Sequence, residues 1–145
     1  MKSTFLPIVL LTICLISCNA NKITTTQITP LTKTSRSWNG TKLPKYGEGD
    51  PEVTILKIVI PPKTKLSWHQ HPEINAGVLL KGELTVISEA KDTLYLKAGD
   101  PIVELVNVSH YGRNDSKKPA EIIVFYAGIK DKPITVLDDD SNGGH

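Results

Sequence analysis

Three of the four histidines in this 145-residue chain stand in strand-like surroundings. His69 and His71 are two apart, in Trp68-His69-Gln70-His71. Residues two apart on a strand point to the same face, so both imidazoles can converge on one point. His110 follows 39 residues after His71, beyond another strand-like stretch. Two imidazoles from one strand and a third from a distant one is a way to hold a divalent metal, and histidine is the commonest side-chain ligand. The same pair on a wet surface, or hydrogen-bonded inside a barrel, needs no metal. His145 lies in a loose tail and receives no role. Cys14 and Cys18, the two cysteines, both lie near the start. The remainder therefore has no thiolate, and a metal there must rest on imidazole, carboxylate or amide groups.

A second candidate is Glu104, the single charge in the apolar run Ile102-Val103-Glu104-Leu105-Val106. Alternation puts Ile102, Glu104 and Val106 on one face. If that face is wet, Glu104 is a surface residue. If it faces an interior, the carboxylate needs a cation, and a metal on three neutral histidines is one. Glu104 is then a candidate ligand, directly or through water, and a candidate general base. Tyr111 and Trp68 adjoin His110 and His69, so they point to the opposite strand face and read as packing residues. No nucleophile elbow, phosphate-binding glycine loop or zinc-protease helix motif is present.

These residues need strands to position them. Val53 to Ile60 is β-branched and stops at Pro61-Pro62, which cannot continue a central strand. Val78 to Leu80, Leu84 to Ile87, Thr93 to Leu96, Ile102 to Val106, Ile122 to Tyr126 and Ile134 to Leu137 follow. Turn residues separate them: Ala90-Lys91-Asp92, Ala98-Gly99-Asp100, Asn114-Asp115-Ser116 and Gly128. No segment after the first twenty residues carries a sustained helical period, so the expectation is one all-β sandwich or barrel. The domain is expected over 37–137, after a polar tether at 18–36 and before a disordered acidic, glycine-rich tail at 138–145.

In these residues the chain resembles the cupin superfamily, small jelly-roll (double-stranded β-helix) barrels. His69, His71 and Gly82 fall at the spacing of the first cupin motif, and Gly99, His110 and Asn114 at that of the second. The likeness covers roughly Val53 to Gly128. Lys63 stands where the first motif opens with glycine, and Leu105 and Asn107 replace the second motif's proline and glycine. Asn75 occupies the glutamate position, which removes the anionic member of the usual three-histidine, one-glutamate set. The resemblance implies one divalent ion on His69, His71 and His110, with Asn75 offering an amide oxygen, a weaker donor than carboxylate. It leaves iron, manganese, zinc, nickel and copper open. The neutral set is similar to that of three-histidine thiol dioxygenases, and the whole is loosely similar to quercetin-dioxygenase-like cupins. The implied function is a metal-dependent oxygenase of a small organic molecule. The alternative is an envelope module that binds a metal, a sugar or another small ligand without turnover.

The start of the chain sets the expected address. Lys2, the apolar stretch Phe5 to Ile16, and Leu15-Ile16-Ser17-Cys18 resemble the signal peptide and lipobox of bacterial lipoproteins. That resemblance implies removal of residues 1–17 and acylation of Cys18. Asn19 is not the aspartate that retains many such proteins at the inner membrane, so the periplasmic face of the outer membrane is expected. Net charge is +2 with mixed signs, and aromatics are 6%. Neither a basic face nor a base-stacking platform is present, so nucleic acid is not an expected partner. A small-molecule ligand and, by analogy with similar barrels, a homodimer are.

Overall fold

A computed structural model describes residues 24–138. Residues 1–17, where a signal peptide is expected, Cys18, the first part of the expected tether and residues 139–145, with His145, lie outside the described residues. Residues 24–36 are exposed, and Ser37 is the first buried side chain.

The described residues contain ten strands and no helix. They are β1 (Pro51–Ile60), β2 (Thr64–Lys65), β3 (His69–Gln70), β4 (Ile74–Lys81), β5 (Glu83–Ser88), β6 (Thr93–Lys97), β7 (Pro101–Val103), β8 (His110–Asn114), β9 (Ala120–Ile129) and β10 (Val136–Leu137). One antiparallel sheet has the order β1-β9-β4-β7. The other runs β10-β3-β8-β5-β6, with β2 also pairing with β8. The long strands form where β-branched and aromatic residues alternate with polar ones, which suits a pleated surface buried on one side.

The core lies between the sheets. Ile122, Val124 and Tyr126 of β9, Leu79 of β4, Leu84 and Val86 of β5 and Ile102 of β7 are all buried. The segment around Trp38 covers the free edge of β7: Trp38 N–H donates to the Val103 carbonyl at 2.9 Å, and the Ser37 hydroxyl to the Glu104 carbonyl at 2.7 Å. An uncovered edge would offer its backbone groups to another chain.

Turns preserve shapes that their residue types do not advertise. Gly82 and Gly99 have φ of +76° and +97°. Lys63 and Asn107, the non-glycine residues at glycine positions of the two motifs, also have positive φ, 55° in each. The replacements therefore change the side chain and keep the left-handed backbone. Asn tolerates that region better than most residues.

Candidate metal centre

His69 lies on β3 and His110 begins β8, directly opposite it in the register. His71 follows β3 and forms a parallel bridge to Val106. The three rings face one another with centroids 4.7 to 5.1 Å apart. Their ligand atoms all lie within 4.8 Å of one another.

Each ring is oriented from behind by a backbone carbonyl. His69 Nδ1–H donates to Ser67 at 2.8 Å, His71 Nδ1–H to Ile134 at 2.9 Å, and His110 Nδ1–H to Val108 at 2.8 Å. A carbonyl can only accept, so each Nδ1 carries the proton and each Nε2 presents a lone pair. The Thr135 hydroxyl adds a 3.2 Å contact to His71 Nδ1. This outer support resembles the way metal-binding histidines are generally held. Burial, with smaller contributions from the neighbouring His110 and His69 rings, lowers the His71 pKa to about 4. Burial lowers that of His110 as well. Both rings are thus neutral near pH 7.

Glu104 joins this cluster from the end of β7. Its backbone N–H donates to the Asn75 carbonyl at 3.1 Å, which sets it beside Asn75 across the strand pair. Its side chain is buried, and Oε2 stands 3.5 Å from His110 Nε2. Both atoms are buried and lack a hydrogen-bond partner. The contact is too long for a good hydrogen bond, and with His110 neutral it is not an ion pair. Two facing acceptors in a dry place require a proton or a metal cation between them. Burial raises the Glu104 pKa to about 7. The donor set, three imidazole nitrogens and one carboxylate oxygen, fits a divalent transition metal.

Asn75 is buried but is not among the residues lining the cavity beside the histidines. Its amide donates to the Glu73 carbonyl at 3.4 Å, and its Oδ1 has no partner. Glu73 pairs with Lys132 at 3.7 Å and does not line the cavity either. Trp68 and Tyr111 stack edge to face at 4.5 Å, with the Lys65 ammonium 4.2 Å from the Tyr111 ring, and neither lines the cavity. Tyr126 and Thr135 do line it, and sequence reasoning gave neither a role. The inward alternation Ile122, Val124, Tyr126 was a usable signal for the first. The support from Ile134 and Thr135 depends on chain return and leaves no sequence signal.

The cavity measures about 310 Å³ and lies between the two sheets, with His69, His71, His110 and Glu104 in its wall.

Residues 56–126 match the family model for the cupin domain. Solved structures share the fold at low identity. A DMSP lyase from Ruegeria pomeroyi is 22% identical, with a TM-score of 0.52 over 59% of this chain and 42% of that one. An oxalate decarboxylase from Bacillus subtilis is 19% identical, with a TM-score of 0.51 over 59% and 23%. A cupin-like protein from Thermotoga maritima is 17% identical, with a TM-score of 0.51 over 59% and 64%. This chain thus spans less than half the length of the lyase and about a quarter of the decarboxylase. No curated protein matches the sequence. The fold is a jelly-roll barrel of cupin type.

Proposed function

We propose, with the cupin fold as premise, that this protein is a metal-dependent enzyme of the oxygenase type acting on a small organic molecule, with one divalent ion on His69, His71 and His110 and Glu104 as the fourth, anionic group. The observation that carries this is the convergence of three Nε2 lone pairs, each fixed by a carbonyl behind it, on a buried carboxylate without a partner. A bound divalent ion would supply Lewis acidity, polarising an oxygen of the substrate. The chain supplies the rest. The imidazoles hold fixed tautomers, Glu104 can hold or accept a proton at Oε2, and aliphatic side chains line the rest of the cavity. Glu104 takes over the charge that Asn75 lacks, from one strand further across the sheet. The names of the lyase and the decarboxylase are those of enzymes of small organic molecules, which favours turnover over storage.

The test begins with metal analysis of the purified full chain, where about one divalent ion per chain is expected. His69→Ala, His71→Ala and His110→Ala should each reduce it several-fold while the circular dichroism spectrum persists. Unchanged metal content in all three would remove the site. Oxygen uptake dependent on an added small molecule supports the oxygenase; a tightly held ligand that is never converted supports a binding module instead.

The cellular setting belongs to the same proposal. Leu15-Ile16-Ser17-Cys18 supports a lipid anchor on Cys18, and with Asn19 it supports the periplasmic face of the outer membrane. The outer face of the β1-β9-β4-β7 sheet supports a homodimer, because Val53, Ile55, Val59, Leu80 and Phe125 are exposed on it.

A further inference from the structure

The cavity has one polar end and an aliphatic remainder. Three imidazoles, Glu104, Tyr126 and Thr135 gather at one end. Leu56 and Ile58 of β1, Leu84 and Val86 of β5, and Ile122 and Val124 of β9 form much of the other wall. Leu56 and Ile58 face the interior yet are only partly buried, so the cavity meets solvent along an apolar stretch. Among the described residues no Lys or Arg lines it, and Glu104 is its one carboxyl group.

Charge then limits the ligand. A divalent ion with one carboxylate leaves a single positive charge at the polar end. A second anionic group on the ligand would lie against aliphatic side chains without a cation, at a large desolvation cost. We infer that the cavity takes a molecule with one oxygen-donor head, neutral or singly negative, on an apolar body, and rejects dianions. This rests on the metal-centre reading for the grip on the head, while the preference for an apolar body rests on the wall alone.

Gly112 provides a variant that should fold. It lies on β8 two residues from His110 and lines the cavity. A Cβ there meets nothing closer than Leu84 Cδ1 at 3.4 Å, an ordinary contact distance. Gly112→Ala therefore narrows the cavity without forcing the backbone.

The experiment is isothermal titration of the cobalt-loaded full chain with acetate, butyrate, hexanoate and octanoate. Succinate and adipate match butyrate and hexanoate in length and add a second carboxylate. Each added methylene should tighten binding about fourfold until the cavity fills. Each dicarboxylate should bind at least tenfold more weakly than its match. Gly112→Ala should shift the optimum toward shorter chains. A flat series, or a dicarboxylate tighter than its match, overturns the inference while the metal reading stands. A chain that takes up no cobalt overturns the metal reading and the grip on the head. Butanol, hexanol and octanol added to that metal-free chain still decide the wall: a methylene increment upholds it, and its absence overturns it.

Discussion

Among individual residues, Glu104 separates a decorative histidine cluster from a metal centre. Its carboxyl titrates near 7 because burial disfavours the charge. In the metal-free protein it is therefore protonated below that pH. As a ligand or close counter-charge of a cation it must ionise, so metal uptake at pH 6 should release the Glu104 proton. Metal affinity should accordingly fall about tenfold per unit as pH drops below 7, while His71 begins to compete only near pH 4. Titration of the metal in buffers of different ionisation enthalpy measures that proton. Glu104→Gln should abolish its release and weaken affinity at pH 8, whereas Asn75→Ala, whose side chain does not reach the cavity, should do less. Proton release unchanged in Glu104→Gln would remove Glu104 from the centre. The same shift bears on stability without metal. A raised folded-state pKa means the contribution is full below about 4.5 and is lost as pH rises through about 7. His71 and His110, whose pKa values burial lowers, act in the opposite sense over this range, so the change in melting temperature from pH 6 to pH 8 in the metal-free protein should be more negative in wild type than in Glu104→Gln. At this scale the spacing of His69, His71 and His110 points to one shared face, whereas the lone charge in an apolar run left a wet face and an interior both open for Glu104. The carbonyls of Ser67, Ile134 and Val108 were not legible, because backbone acceptors are set by how the chain returns and not by side-chain type.

Among the elements, the turns show how far residue type predicts backbone. Asn107 and Lys63 hold left-handed conformations at positions where the family motif has glycine. Asn107→Val should cost about 1–2 kcal/mol, because a β-branched residue fits that region poorly, while Asn107→Gly should stay within about 0.5 kcal/mol of neutral. Denaturant unfolding of the two variants checks this; equal losses would place the cost in the side chain instead. Asn114 is the converse case, a motif residue whose task is structural. Its amide donates to the Ile60, Pro61 and Lys118 carbonyls, and its Oδ1 accepts from Ser116. Long alternating strands such as β1, β5 and β9 were readable because packing and propensity agree there. The two-residue β2, β3 and β10 carry too few positions to show a period. The run Ile102 to Val106 reads as one strand but pairs only over Pro101–Val103, since the chain must then bend to bring Glu104 and Val106 to the histidines. Likewise, Ile134 to Leu137 narrows to Val136–Leu137.

For the whole molecule, one exposed sheet face and the start of the sequence bear on the proposed setting. At about 4.8 Å between strands and about 3.3 Å per residue, the exposed β1-β9-β4-β7 face offers about 500 Å² per copy. Two such faces bury about 1,000 Å², near the lower limit for a specific pair. Sedimentation should therefore show a concentration-dependent dimer, and Phe125→Glu should return it to monomer with metal content unchanged. A monomer at all concentrations would leave this face, which also carries the Lys57–Glu121–Lys81 ion pairs, to another role. At the other end, Cys18→Ala should yield an uncleaved precursor that takes up no radioactive fatty acid, and equal labelling of wild type and mutant would remove the anchor. The central claim is that the three histidines hold a metal in a chain with no thiolate outside its first eighteen residues. X-ray absorption at the edge of the metal bound to the purified full chain addresses it most directly. The account predicts three imidazole nitrogens about 2.0–2.1 Å from the ion, as such ligands bind zinc, oxygen donors completing the shell, no sulfur, and one imidazole fewer in His110→Ala. A shell without imidazole, or an imidazole count unchanged in that variant, would contradict it.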